Sequence, residues 1–520
     1  MFRLTAFALF TVAAFSSCLQ AAGKTARPNI VLILCDDMGF SDIGCYGGEV
    51  QTPNIDGLAA EGLRFKQFYN NAKCTTTRAS LITGLYPRRR GPLLKSNMVT
   101  IAEVLKAAGY RAALSGKWHL GNRAPRRPSD RGFDRYFGLL DGCCNFFDPS
   151  MPDPKFKGGR VRWVAQDDKR ITTFPKDFYM TDAISDYAVK TIGEWAKPAS
   201  DGKRKPFFLH VCYTAPHYPL HAKAKDIAKY KGTYLKGWHA LRNARHRRQL
   251  KMGLVDPNWK LPGPEREVQA WKDAPHKDWQ DLRMAVYAAM IDSMDQGIGR
   301  ILKALKDAGV DENTLVMFLS DNGGCAETPG GNNAESIPGP KQFYTHCGPG
   351  WAYAQNTPFR RYKSWVHEGG ISTPFIARWP GRIKPNTWTN EAAHIIDLLP
   401  TCAEVGRATY PKRYKGNEII PVEGVSFLSV LSGKPRVGHD VLYWEWARNR
   451  AVRAGKWKLC WDRKVKRWEL YDVVADRTEM NDLASEHPER VARLSKLWFA
   501  WAKKTGLRVG QRKKRKKKSP

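Results

Sequence analysis

Between Asn71 and Gly84 the chain reads Asn-Ala-Lys-Cys-Thr-Thr-Thr-Arg-Ala-Ser-Leu-Ile-Thr-Gly, the pattern of a loop feeding a short helix. Cys74 stands at the mouth, threonines follow where a helix start takes hydroxyl caps, and Gly84 stands where a helix ends. On such a helix Arg78 lies four residues beyond Cys74 and shares its face. A helix N-terminus with an arginine beside it favours a tetrahedral oxyanion such as sulfate or phosphate. Cys74 is therefore a candidate nucleophile, or the precursor of one, aimed at a bound anion. Taken alone, a single cysteine reads more readily as a buried structural residue, so its neighbours must decide.

Four apolar, strand-like runs end in polar or ionisable residues. Asn29 to Cys35 stops at Asp36-Asp37, and Arg111 to Ser115 leads into Gly116-Lys117-Trp118-His119. Pro206 to Thr214 runs into Ala215-Pro216-His217, and Thr314 to Ser320 stops at Asp321-Asn322-Gly323-Gly324. Continuous apolar strands belong to a parallel sheet buried on both faces. Open α/β sheets bind ligands outside the carboxyl ends of their strands, so these scattered residues should converge at one edge. Asp36, Asp37, Asp321 and Asn322 offer oxygen ligands only, a set suited to calcium or magnesium rather than zinc. Lys117 and His119, two apart on an extended segment, share a face, where one could hold an anion and the other move a proton. His217 at a strand end suits a general acid near a leaving group. Lys363, just before His367-Glu368-Gly369-Gly370, is a weak signal by itself. A cation, a nucleophile position and a ring of positive side chains are the equipment for transferring a sulfuryl or phosphoryl group.

The elements that must position these residues alternate between strands and helices. Thr52 to Arg64, Thr100 to Ala108 (capped by Thr100 with Glu103 three residues on), Thr181 to Ala196 and about Leu282 to Ala308 read as helices. The expected fold is α/β, a large and mostly parallel sheet sandwiched by helices. After Pro400 the pattern changes: Val441 to Trp446, Ala451 to Trp461 and Trp468 to Val473 read as antiparallel strands before a last helix, Pro488 to Lys504. The expectation is a catalytic domain over 27–405 and a smaller C-terminal α+β domain over 406–507. Two long stretches, Tyr218 to Asp281 with Trp238, Trp259, Trp271 and Trp279, and Cys325 to Thr357, are expected to cover or shape the site.

A chain of 520 residues, 42% hydrophobic, is globular and too long for one small core. Arg3 ahead of the apolar run Leu4 to Phe15, followed by small residues, reads as a secretory signal peptide over 1–22. Ser16-Ser17-Cys18 leaves a lipoprotein cleavage open, although Phe15 fits one poorly. No later run is long enough for a membrane span, so the mature chain is expected to be exported, periplasmic or extracellular. The 11 cysteines do not make a dense disulfide framework in so long a chain; Cys143 and Cys144 could pair with distant partners, while Cys35 and Cys212 read as core. The formal charge is +35, part of it in the basic tail at 508–520, which should be disordered. Nucleic acid is the usual partner for such a balance, but export argues for a sulfated or otherwise acidic polymer, or for a merely solvated basic surface.

The sequence resembles the formylglycine-dependent sulfatases of the alkaline phosphatase superfamily, and looks most like their bacterial arylsulfatase-like branch. The matching stretches are Pro28 to Asp37, Cys74 to Gly84, Gly116-Lys-Trp-His-Leu-Gly121, Ala215-Pro-His217, Ser320 to Gly324, and Lys363 with Glu368-Gly-Gly370; they occur in the family's order across nearly the whole mature chain. The resemblance implies that a maturation enzyme oxidises Cys74 to formylglycine, whose hydrated aldehyde attacks sulfur. One hydroxyl would form a sulfo-enzyme, and proton loss from the other would expel sulfate. Asp36, Asp37, Asp321, Asn322 and the modified Cys74 would bind one calcium ion. Arg78 would orient the modified residue, Lys117 and Lys363 grip sulfate, His217 protonate the departing alcohol, and His119 serve the gem-diol. The substrate would be a sulfated small molecule or polysaccharide. The family's maturation motif usually has proline two residues after the cysteine, and this chain has Thr76. A phosphodiester or phosphonate hydrolase of the same superfamily, and a catalytically silent protein that binds acidic glycans, are the alternative readings.

Overall fold

In the computed structural model, residues 27–87, 93–198 and 202–507 are described; the expected signal peptide and basic tail lie outside them. Ten strands form the main sheet: β1 (Asn29–Cys35), β2 (Leu63–Tyr69), β3 (Arg111–Gly116), β4 (Arg135–Leu139), β5 (Val164–Gln166), β6 (Lys169–Ile171), β7 (Phe207–Cys212), β8 (Thr314–Ser320), β9 (Ser372–Arg378) and β10 (Thr387–His394). Their order is β10-β2-β9-β8-β1-β7-β3-β4-β5-β6. Pairing is parallel through β8, β1, β7, β3 and β4. β9 runs antiparallel to both its neighbours, and β5 runs against β4 and β6. The sheet is thus mostly parallel with two reversed strands, as expected in class.

The period-two geometry of a strand explains why β1 is apolar throughout. Val31, Ile33 and Cys35 join the core on one face, with residues of the helices Met180–Trp195 and Lys277–Asp307. Ile30, Leu32 and Leu34 join the core on the other, with residues of the helices Cys74–Thr83, Ile101–Ala107 and Leu398–Val405. The expected capping box is present: Thr100 Oγ1 accepts from Glu103 N–H while the Glu103 carboxylate accepts from Thr100 N–H.

A two-strand hairpin, β11 (Arg413–Tyr414) and β12 (Asn417–Glu418), precedes an antiparallel sheet of β13 (Val441–Trp446), β14 (Asn449–Ala454), β15 (Trp457–Asp462) and β16 (Arg467–Asp472). The helix Pro488–Lys504 buries Leu494, Trp498, Trp501 and Ala502. This sheet shares its core with the large one through Val452, Leu459 and Leu470. Trp444 Nε1 donates to the Asn70 carbonyl at 2.8 Å, so the C-terminal sheet braces the segment that delivers Cys74.

Three local expectations need correction. The helix expected from Thr52 to Arg64 spans only Pro53–Ala60, and Leu63 to Tyr69 is strand β2; its bulky residues fit a half-buried pleat better than a helix. The single strand expected from Ala451 to Trp461 is two, because Gly455 at φ 57° turns the chain between β14 and β15. Among the described residues all ten cysteines, Cys143 and Cys144 included, are free thiols.

Candidate active site

At the carboxyl edge of the sheet, Leu34 of β1 pairs with Cys212 of β7, which pairs in turn with Gly116 of β3, while Cys35 pairs with Ser320 of β8. The residues that follow these four strand ends therefore leave the sheet side by side. That register, and no local sequence feature, brings Asp36, Asp37, Lys117, His217, Asp321 and Asn322 together. All six are buried.

The helix Cys74–Thr83 points its first turn at this edge. Its N-cap is Lys73, which makes no side-chain cap, so the threonines serve otherwise. Thr77 Oγ1 accepts from Asn71 N–H, and the Thr76 hydroxyl, standing where the maturation motif usually has proline, reaches the carbonyls of Asn71 and Lys73. Gly84 closes the helix at φ 67°. One turn in, Arg78 donates through Nε and Nη2 to Asp321 Oδ2 at 3.2 and 2.8 Å, and through Nη1 to the Lys117 carbonyl at 3.0 Å. Arg78 thus ties the helix to two strand ends. Burial raises the pKa of the Cys74 thiol; the nearby Lys117 and Lys363 pull it down while Asp36 and Asp321 push it up.

The buried charges come in matched pairs. Lys117 Nζ lies 2.5 Å from Asp36 Oδ2, and Lys363 Nζ lies 2.6 Å from Asp37 Oδ2. Burial opposes the charge on both lysines, yet Asp36 and Asp37 hold their pKa values above the ordinary range. Burial likewise pushes both aspartates up. At Asp36 it wins despite Lys117; at Asp37 the fields of His217, Lys363 and Lys73 outweigh it. Lys363 arrives from a distant loop because two glycine pairs let backbones touch. A Cβ on Gly323 would sit 2.0 Å from the Gly369 carbonyl oxygen, and Lys363 N–H donates to Gly324 O at 3.1 Å. Behind that loop, buried Glu368 binds Lys458 and Arg477 at 2.8 and 2.9 Å.

The histidines differ in posture. His217 donates Nδ1–H to the Tyr218 carbonyl at 2.6 Å, which leaves Nε2 facing Asp37 Oδ2 at 3.4 Å. Burial lowers its pKa to about 4 even with Asp37 beside it. His119 is not on an extended segment as expected; its φ is 58°. Burial and the charges of Lys117 and Arg78 hold its pKa well below the ordinary value. Its Nδ1 is buried without a hydrogen-bond partner, and Gly142 packs so closely that a Cβ there would lie 2.6 Å from the ring.

A hard cation fits this donor set. Asp36 Oδ1 and Asn322 Oδ1 are buried oxygens with no hydrogen-bond partner, the first having only the Arg78 guanidinium at 3.6 Å, and ligand atoms of Asp36, Asp37 and His217 lie within 4.8 Å of one another. Asn322 spends its amide hydrogens on Asp37 Oδ1 and the Gly323 carbonyl, so its oxygen is the free end. Orphaned buried oxygens are costly unless something positive meets them. The carboxylate and amide oxygens of Asp36, Asp37, Asp321 and Asn322 are the donor type that a hard divalent cation takes.

Sequence reasoning missed the residues around this cluster. Tyr287 donates to Asp42 at 2.7 Å and lies 3.1 Å from the Asp37 carbonyl. Glu327, in the Gly- and Pro-rich stretch, meets Lys73, Tyr218 and Lys363. Neither carries a sequence signal. The tryptophan-bearing insertion proves to be packing: Trp238 meets Trp351 edge-on and Trp271 packs tilted against it, and Trp279 and Trp259 donate to the Ser336 and Val474 carbonyls. Among the described residues no helix is long and apolar enough to cross a membrane.

Comparison with known proteins gives this geometry its family. The sulfatase family model matches residues 28–406, and the model described as N-sulphoglucosamine sulphohydrolase, C-terminal, matches 360–498. An uncharacterized sulfatase of Schizosaccharomyces pombe is 32% identical, over 94% of this chain and 95% of its own length. The arylsulfatase of Klebsiella aerogenes is also 32% identical, over 80% and 94%. Among solved structures, Ps i-CgsB in complex with k-i-k-neocarrahexaose superposes with a TM-score of 0.66 at 26% identity, covering 92% and 93% of the two chains. A strand-end cluster of buried carboxylates and cations, a sheet of alkaline phosphatase-like fold and relatives matched along almost their whole length agree: the chain belongs to the sulfatase family, whose members are sulfuric ester hydrolases generally using a formylglycine and a divalent metal.

Proposed function

We propose that this sulfatase is an exported enzyme that hydrolyses sulfate esters of carbohydrates, with Cys74 oxidised to formylglycine by a maturation enzyme and one calcium ion held by Asp36, Asp37, Asp321, Asn322 and the modified side chain. The observation that carries the reading is the charge balance at the strand ends. Three buried carboxylates, Asp36, Asp37 and Asp321, face three fixed cations, Arg78, Lys117 and Lys363. These cancel, so a divalent cation would leave two positive charges for a tetrahedral anion to offset. Cys74 lies in the same field. A thiol is a poor ligand for a hard cation, whereas a hydrated aldehyde offers oxygen.

In that form the pair supplies an attacking hydroxyl of lowered pKa and a second hydroxyl whose proton loss releases sulfate. The chain's own residues do the rest. Lys117 and Lys363 turn from their aspartates to the sulfate oxygens, and Arg78 fixes the helix start against Asp321. His119, neutral and with Nδ1 unpartnered, accepts a proton from the nucleophile. His217, its Nδ1–H tied to Tyr218 O, can donate only through Nε2; that nitrogen first takes a proton from solvent, with Asp37 beside it to offset the charge, and then passes it to the departing alcohol.

Support for a carbohydrate substrate comes from relatives: the structural neighbour solved with a neocarrahexaose, and the N-acetylgalactosamine-6-sulfatase of Canis lupus familiaris, 27% identical over 87% of this chain. The charge of +35 suits an anionic polymer, and the apolar leader at 1–22 supports export. The test is steady-state turnover of 4-nitrophenyl sulfate beside bis(4-nitrophenyl) phosphate, with and without calcium, for the native protein and Cys74→Ala. Calcium-dependent sulfate release that Cys74→Ala abolishes is expected; a preference for the phosphodiester would overturn the reading.

A further inference from the structure

Exposure along the charged chain locates the mouth of the site. The side chains of Asp37 and Lys363 are each 1% exposed, Lys73 is 20% and Glu327 36%. Glu327 is thus where the buried cluster meets solvent. One oxygen takes Lys73 at 2.5 Å; the other takes the Tyr218 hydroxyl at 2.8 Å and lies 3.7 Å from Lys363 Nζ. Lys363, Lys73 and the Tyr218 hydroxyl therefore fix this carboxylate beside the ammonium that would grip sulfate. Each oxygen still has room to accept another hydrogen bond. Beyond Glu327 the wall turns aromatic. Tyr218 and Tyr344 lie 6.0 Å apart, and Phe156, 55% exposed, stands edge-on to Tyr344 at 5.6 Å. Phe156 also covers Gly330, where a Cβ would come within 2.7 Å of its ring, so the loops carrying Glu327 and Phe156 touch. A fixed carboxylate next to an exposed aromatic face is how a protein holds a sugar ring by one hydroxyl and one flat side.

We propose that Glu327 is a specificity-determining residue of this sulfatase: it accepts a hydrogen bond from a free sugar hydroxyl next to the ester being cleaved and rejects a second sulfate there. The inference rests on the carbohydrate-sulfatase reading and deepens it to a substrate class, sugars with a free hydroxyl vicinal to the scissile sulfate. Its physical basis is sign and donor count. An ionised carboxylate only accepts, so it rewards a hydroxyl. It also repels an anion a few ångströms away, a separation shorter than the Debye length, so salt screens the repulsion only in part.

The test compares kcat/KM for three methyl glycosides, a monosulfate with a free vicinal hydroxyl, its vicinal deoxy analogue and its vicinal disulfate, with 4-nitrophenyl sulfate as the reference. The native enzyme should prefer the hydroxyl-bearing monosulfate over both analogues by about ten- to a hundredfold, the range of a hydrogen bond to a charged group. Glu327→Gln should shrink the preference over the disulfate at least tenfold, and Glu327→Asp should keep part of it. Equal loss on all four substrates would make Glu327 a mere support for Lys363 and overturn the proposal. So would a native enzyme indifferent to the vicinal group, a result that needs no variant to fold. Turnover of 4-nitrophenyl sulfate alone would sink the sugar specificity while leaving a sulfatase; no turnover of any sulfate ester would sink both.

Discussion

Glu368 offers the clearest way to perturb the site from behind. Its carboxylate is fully buried, takes Lys458 on one oxygen and Arg477 on the other, and accepts from Ser372 at 2.8 Å. It sits five residues after Lys363, beside the glycine pair that seats the Lys363 loop against β8. Glu368→Gln keeps the shape but removes the charge and turns a donor toward a cation. Breaking one partner of a buried ion pair costs about 3–5 kcal/mol. Lys458 keeps Glu479 at 2.8 Å, which points to the lower end, about 3 kcal/mol. Burial raises the Glu368 pKa, but Lys458 and Arg477 outweigh it and hold it below the ordinary 4.5. A depressed folded-state pKa contributes stability that is complete above the unfolded value and disappears as pH falls through the folded one. The stability gap between native and Glu368→Gln protein, measured by urea unfolding, should therefore be constant from pH 7 to about 5 and close as the pH drops below 4. The variant's KM for aryl sulfate should rise as Lys363 loses its seat. A gap below about 1 kcal/mol at pH 7, or one independent of pH down to 2.5, would refute the reasoning.

Arg78→Ala leaves the Asp321 carboxylate and the Lys117 carbonyl without their buried partner, so it should cost about 3–5 kcal/mol and abolish turnover; a variant that unfolds like the native protein would contradict this. Gly142→Ala should push the His119 ring aside, since the added Cβ would meet it at 2.6 Å; kcat should fall at least tenfold with little change in the unfolding midpoint. A cation that meets Asp36 Oδ1 and Asn322 Oδ1 binds the folded state alone, so calcium at a hundred times its Kd should stabilise by about 2.7 kcal/mol, read as a higher melting temperature. Asp36→Asn should remove most of that increment.

The strand ends were legible because long apolar runs stopping at acids or basic pairs carry a positional rule with them, and the register of β1, β7, β8 and β3 obeys it. The helix at Cys74 was legible for its Gly84 cap. Strand β2 was not, because an amphipathic helix pattern ran into it and the sheet, not local propensity, decides Leu63 to Tyr69. His119 was misread as extended because nothing in Lys117-Trp118-His119 announces φ 58°; the close approach of Gly142, some twenty residues on, shapes that pocket. Glu327 and Glu368 act through partners that include Lys73 and Lys458, 254 and 90 residues away, and such contacts have no local sequence signature. The tryptophans of the 218–281 insertion were conspicuous in sequence for packing, not for the site.

The most direct measurement is mass spectrometry of the peptide spanning Cys74, taken from protein purified from its own host and shown to hydrolyse aryl sulfate. A carbonyl in place of the Cys74 thiol, captured by a hydrazide and present in proportion to activity, is the predicted result. An intact thiol in fully active protein would contradict the account, since a thiol has no second hydroxyl with which to release sulfate.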